Sequence, residues 1–321
     1  MNQPSPTSLA RTVPKAELHC HADAVIDAAM LRTLDPAFLR TPLAPEELEA
    51  LCPARSWEDW LNGYAARIDA VMTRELFLAS VQAHVRRWRE QQVVYAELMI
   101  SGWLQVHQPE ETTIAFFRDL RRAIDEAAEG RLPVNLLVAL SRGPRAALER
   151  RIERVLALRR AGLITGLGLA GDEGACTVAS IHDLLDRARE AGLGIEIHAG
   201  ERLGPDSVRE ALEWGRPDRL GHGLAAFEDP RLLDEIQRRG IHLEFCPTSN
   251  RLLTPYVDIR SHPLVRAHSL GLSYSVNTDD PAPFGCSLTS EFELLERDLG
   301  FTEADFGRIL QNTRRAAFDR R

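Results

Sequence analysis

The chain is 321 residues long and 44% hydrophobic, with a formal net charge of −8 and a pI of about 5.7. That apolar content excludes general disorder, and the acidic balance excludes the basic footprint expected of a nucleic-acid or anionic-membrane binder. No apolar run reaches membrane-spanning length, residues 1–13 lack a signal-type apolar core, and the five cysteines (Cys20, Cys52, Cys176, Cys246, Cys286) are widely spaced with no CxxC pair, so the expectation is a reduced, cytoplasmic protein.

Taken in order, residues 1–13 read as a loose polar tail, followed by an extended run over 16–21 that contains His19-Cys20-His21. Prolines at 36, 42, 45 and 53 then break a helical region into three or four short helices. Ser56-Trp57-Glu58-Asp59 has the form of a capped helix start, and a long amphipathic helix is predicted over 67–91. Strand-like apolar runs follow at 93–100, 134–140, 163–169, 194–198, 219–224, 241–245 and 272–276. Helical patterns separate them, near 110–129, 144–161, 178–191, 205–214, 229–239 and 261–270. With the 16–21 run this makes eight strand–helix units. At this length the alternation predicts one (β/α)8 (TIM) barrel domain over 1–321, with a lid-like helical insertion at about 29–65. A doubly wound sheet would show a glycine-rich phosphate loop after its first strand, where this chain has His-Cys-His.

The unusual polar residues fall at predicted strand ends. His19 and His21 close strand one, Gly171-Asp172-Glu173 follow strand four, and His198 to Glu201 end strand five. Gly221-His222-Gly223 end strand six, Cys246 to Asn250 follow strand seven, and Asp279-Asp280 end strand eight. In a barrel all of these ends meet on one face, where active sites of this fold lie. Histidines two apart on a strand point the same way, and with a further histidine and a carboxylate they compose an N/O site suited to zinc. A lone His-x-His serves as readily in a hydrogen-bonded core, so the expectation of metal rests on the convergence. Adjacent carboxylates repel, which suggests that one of Asp279 and Asp280 faces a cation and the other a ligand. Cys20 should point away from the metal and Cys246 should pack. Pro247 and Asn250 read as shaping the loop after strand seven, and Trp57 and Trp60 read either as packing or as cover for a flat base.

The stretches PKAELHCH (14–21), LAGDE (169–173), IHAGE (197–201), RLGHG (219–223), EFCPTSN (244–250) and NTDDP (277–281) together resemble the adenosine deaminase family of metal-dependent amidohydrolases. The resemblance runs in the family's order over nearly the whole chain. It implies one Zn2+ per chain held by His19, His21, His198 and Asp279. It also implies Glu201 as proton donor to purine N1, and His222 as the group that orients and deprotonates the water. Asp280 would engage N7, the Gly171 amide would reach N3, and Asp23 would contact the ribose.

The chain departs from the family where Leu-x-Gly usually follows His-x-His and Ala22-Asp23-Ala24 stands here. Adenine-preferring members of the family tend to carry Glu at this position, so the resemblance implies that Asp23 favours a nucleoside over a free base. The expected reaction is therefore conversion of the 6-amino group of an adenine nucleoside to 6-oxo with release of ammonia. The alternatives are a 5′-substituted nucleoside such as aminodeoxyfutalosine of menaquinone biosynthesis, or adenine itself. Another hydrolytic amidohydrolase and a non-catalytic binding relative are the rival classes. The expected partner is a small-molecule purine nucleoside, with no nucleic acid and no membrane, and nothing in the sequence fixes an oligomeric state.

Overall fold

A computed structural model describes residues 8–318. Eight parallel strands follow one another in sequence order around one sheet: β1 (Lys15–Glu17), β2 (Val93–Ile100), β3 (Val134–Ser141), β4 (Gly166–Ala170), β5 (Gly194–Ala199), β6 (Arg219–His222), β7 (His242–Phe245) and β8 (Tyr274–Val276). Helices follow the strands and cover the outside, so the strands are buried on both faces and read as near-continuous apolar runs. The sheet closes just beyond β1 and β8. There Asp279 N–H donates to His19 O and His21 N–H donates to Asp279 O, both at 2.9 Å. The fold is a (β/α)8 barrel, and closure itself places Asp279 between His19 and His21.

Several predicted boundaries move. The first strand is shorter than 16–21, its regular pairing ending at Glu17 while Cys20 and His21 keep single bridges to Asp279 and Met99. The helix expected over 67–91 is two, Ala66–Val71 and Arg74–Glu90. Met72 and Thr73 turn extended, and the Thr73 hydroxyl caps the second helix by accepting Leu76 N–H at 3.1 Å. The loop expected after strand seven is the helix Pro247–Leu253, with Pro247 at its first turn, where a missing N–H costs nothing. Of the expected tail, residues 1–7 lie outside the described residues. Leu9–Thr12 forms a helical turn whose Leu9 and Ala10 amides donate to the Glu296 carboxylate.

The end of the barrel opposite the strand C-termini is stoppered by the chain's own tail. Phe318 lies beneath the barrel with its ring 3.6 Å from the Arg219 guanidinium, and its N–H donates to Glu97 Oε1. Gly166 and Gly194 make room for that ring, since a Cβ on either would fall within 2.5 Å of it. Among the described residues no helix is long and apolar enough to cross a membrane.

Candidate active site

At the other end the predicted site residues come together. The His19 and His21 Nε2 atoms lie 3.5 and 3.4 Å from Asp279 Oδ1, and the His198 ring is centred 4.5 Å from that of His19 and 5.5 Å from that of His21. His19 Nε2 and His198 Nε2 are buried without a hydrogen-bond partner. Unpaired nitrogens facing one another in a dry site are costly unless they share a cation, so the donor set fits a metal. A tetrahedral ion with bonds of about 2.0–2.1 Å separates its ligands by roughly 3.4 Å, close to the spacing seen. Asp279 and His222 both take φ of +61°. Such a backbone costs a non-glycine residue about 1–3 kcal/mol and persists where the surroundings over-determine it.

A layer of buried ionisable residues lies beneath this cluster. His19 Nδ1 sits 2.9 Å from Glu244 Oε2, which leaves its Nε2 lone pair free to face the metal position. Glu244 is ion-paired at 2.6 Å with buried Arg219, whose second contact is Glu97 at 2.7 Å. Glu196 fills space left by Gly168 and Gly221, with Oε1 3.6 Å from His198 Nε2. Burial pushes Glu196 up to about 8, with the Glu244 charge adding to it, so it sits there as a neutral acid at pH 7.

Glu201 enters the cavity from the turn after β5. Burial pushes its carboxyl up to about 8, and the charges of Asp279 and Glu173 push the same way. It therefore holds a proton at neutral pH, as a general acid must. The turn is held by Glu173, whose carboxylate accepts the amides of Gly200 (2.8 Å), Glu201 (3.0 Å) and Arg202 (2.9 Å) and the Ser207 hydroxyl. Glu173 closes the LAGDE stretch, and its role in holding this turn is visible only in the folded chain. Truncating it should free the turn and lower kcat. Charge-assisted hydrogen bonds contribute about 1.5–3 kcal/mol each, so Glu173→Ala is expected to lose roughly ten- to a hundred-fold in kcat with bound metal unchanged, read by ammonia release and metal analysis.

The adjacent aspartates have opposite electrostatics. Burial opposes ionisation of Asp279, but the His19 contact and the neighbouring histidines hold its carboxyl below the usual range. Burial and the charge of Asp279 drive Asp280 well above that range. One is the anion of the cluster, the other a neutral acid able to donate. The EFCPTSN stretch does more than shape a turn: Ser249 Oγ donates to Asp279 Oδ2 at 2.6 Å, and Asn250 Nδ2 lies 3.0 Å from His222 Nδ1. Cys20 points away as expected, its Sγ 3.6 Å from His84 Nε2. Cys246 is buried, and a ligand atom of each of His19, Cys246 and Asp279 lies within 4.8 Å of the others.

His21, His198, Glu201, His222, Asp279 and Asp280 open into a cavity of about 620 Å3, together with Asp23 and Gly171. Its outer wall comes from the insertion and the segment after β2. Trp57 and Trp60 stack at 4.9 Å, and the Arg202 guanidinium lies 4.5 Å over Trp57. Asp23 Oδ2 accepts the Ser101 amide at 3.3 Å, and burial pushes its carboxyl up to about 6.

The family model described as adenosine deaminase matches residues 14–320. The chain belongs to the adenosine deaminase family. Membership makes it a hydrolase of C–N bonds, a deaminase of purine-type substrates in a metal-dependent superfamily. An adenine deaminase of Sinorhizobium medicae is 33% identical over 317 residues, covering 95% of this chain and 94% of that one. In three dimensions the chain is similar to an adenine deaminase from Arthrobacter aurescens, with TM-score 0.82 and 26% identity over 95% of this chain and 94% of that one. It shares its fold with an amidohydrolase from Burkholderia ambifaria crystallised with bound zinc, with TM-score 0.81 and 23% identity over 98% of this chain and 90% of that one.

Proposed function

We propose that this adenosine deaminase-family member is a zinc-dependent hydrolytic deaminase of adenine nucleosides. The observation that carries the reaction is the neutral acid Glu201 beside an ionised aspartate and three histidines, two of which, His19 and His198, have buried nitrogens without partners. His19, His21, His198 and Asp279 would hold the ion. When bound, zinc supplies Lewis acidity that lowers the pKa of a water from about 15.7 toward 7.

The remaining work falls to the chain's own residues. Glu201 presents its proton to purine N1, so that negative charge building on the ring as C6 is attacked is neutralised in place. Asp280, kept neutral, donates a hydrogen bond to N7, which a carboxylate would repel. The Gly171 amide faces N3, and its φ of +82° is a conformation glycine adopts without strain. His222 stands beside the incoming oxygen. The Trp57–Trp60 pair keeps water from the outer face of the base.

The nucleoside reading rests on the size of the cavity, which at about 620 Å3 extends beyond what a bare purine fills. Asp23, the position expected to meet the ribose, is among the residues that line it. The relatives described as adenine deaminases favour the free base instead.

A panel of adenine, adenosine and 5′-substituted adenosines, followed by ammonia release and ultraviolet change with metal content measured in parallel, decides between them. The expected order places a nucleoside first in kcat/KM, and turnover lost to a chelator should return with Zn2+. Asp23→Ala should raise KM for the nucleoside about ten-fold or more and leave adenine nearly unchanged, because a charged hydrogen bond to the sugar contributes about 1.5–3 kcal/mol. Faster turnover of adenine than of every nucleoside would overturn this substrate assignment.

A further inference from the structure

A neutral imidazole carries one N–H and one lone pair, and buried partners of unambiguous role decide which nitrogen has which. A chain of such partners runs into His222. It starts at the helix Pro263–Leu270, whose N-cap is His262. The Leu264 backbone N–H donates to His262 Nδ1 at 3.0 Å, and a backbone amide can only donate. His262 therefore keeps its proton on Nε2, which lies 3.1 Å from Asn250 Oδ1. The Cys246 amide donates to the same oxygen at 3.3 Å, so the Asn250 side chain cannot be turned the other way. Its NH2 is left to donate to His222 Nδ1 at 3.0 Å. His262, Asn250 and His222 are all buried.

We propose that the Leu264–His262–Asn250 relay fixes His222 as the Nε2–H tautomer, making it a hydrogen-bond donor to the attacking oxygen and not the base that takes that oxygen's proton. Asn250 and His262 are then positioning residues for the deamination. The inference rests on the site reading given above, because it places the attacking oxygen on the cavity side of His222, where Nε2 lies 3.7 Å from Glu201 Oε2.

A nitrogen that already bears hydrogen has no in-plane lone pair to offer, so the protons must travel by another group. Glu201 can carry them all. It gives its proton to N1 as the C6–O bond forms and the N1–C6 π pair moves onto N1. As a carboxylate it then takes the proton of the attacking water. It passes that proton to the amine as the C6–N bond breaks, and takes the remaining hydroxyl proton as C6–OH becomes C6=O. Water and the amine are converted to the 6-oxo purine and ammonia, and Glu201 ends protonated as it began. His222 Nε2–H stays on the oxygen throughout, where its donation is strongest when that oxygen carries most charge.

The test is nitrogen-15 NMR of the zinc-loaded protein with labelled histidine, His222 being assigned by its loss from His222→Gln. The expected spectrum has the proton on Nε2 and an unprotonated Nδ1. In Asn250→Asp the carboxylate can only accept, so the proton should move to Nδ1. kcat should then fall by about 10^2–10^3, as when one oxyanion donor is removed, with KM and bound zinc unchanged. His262→Leu should lower kcat, and His262→Gln, whose amide can again donate to Asn250 Oδ1, should recover most of it; a purely packing role would not separate the two. A proton on Nδ1 in the parent protein, or an Asn250→Asp protein with full kcat, would overturn the proposal. The spectrum also separates the two readings: the expected tautomer without turnover of any adenine compound would sink the assigned reaction and leave the relay standing.

Discussion

Replacing Glu201 with glutamine is expected to leave the metal in place and to lower kcat by about 10^2–10^4, the range for loss of a positioned general acid. Glutamine keeps the size and can still accept from the same neighbours, but it has no proton to give to N1. The environment that makes Glu201 an acid is specific to this turn. The side chain is buried, two carboxylates press on it, and its backbone is held by three amides bonded to Glu173. Because the substitution removes no metal-facing atom, metal content and thermal stability should stay near those of the parent. Ammonia release under substrate saturation, paired with metal analysis, checks both halves. A fully active Glu201→Gln protein would show that the acid lies elsewhere.

The second large effect concerns a residue remote from any substrate. Arg219→Met should destabilise the fold by about 3–5 kcal/mol, because it leaves the buried carboxylates of Glu97 and Glu244 without their cation. The same change should loosen the barrel's stopper, since Phe318 stacks on the guanidinium it removes. Metal binding should weaken by roughly ten- to a hundred-fold as well, because Glu244 orients His19 through its Nδ1. Urea unfolding with and without zinc separates the two contributions. A variant within about 0.5 kcal/mol of the parent would class this ion network with surface pairs, which contribute little.

These two predictions differ in how they could be reached. Glu201 was legible in the sequence because IHAGE sits at the end of an apolar strand-like run and because five other strand ends carry polar residues of the same kind. Once the alternation is counted as eight strand–helix units, barrel geometry gathers those ends without further information. Arg219 was also on the page, inside RLGHG, but nothing local shows that it faces inward. Glu97 lies 122 positions earlier in the chain, and the pairing exists only because β2, β6 and β7 share one barrel interior. Asn250 misled for a similar reason. Next to Pro247 it reads as a turn-forming residue, whereas its amide sits between His222, 28 positions back, and His262, 12 positions on. The unbroken helix predicted for 67–91 failed on a local point, since helical periodicity continues across Thr73 while the cap formed by its hydroxyl does not register as a break.

By itself, then, the sequence determined the class of fold, the end of the barrel that carries polar chemistry, and which histidines and carboxylates could meet there. These depend on the period of two along a strand and on which residues fall at strand termini, both local properties of the backbone. Tertiary structure alone decided which carboxylate is neutral and which ionised, which residue holds each histidine, and what closes the far end. Those outcomes depend on burial and on partners brought together over long stretches of chain. A group's ionisation and tautomer follow from the dielectric and donors around it, and neither is present until the barrel has closed.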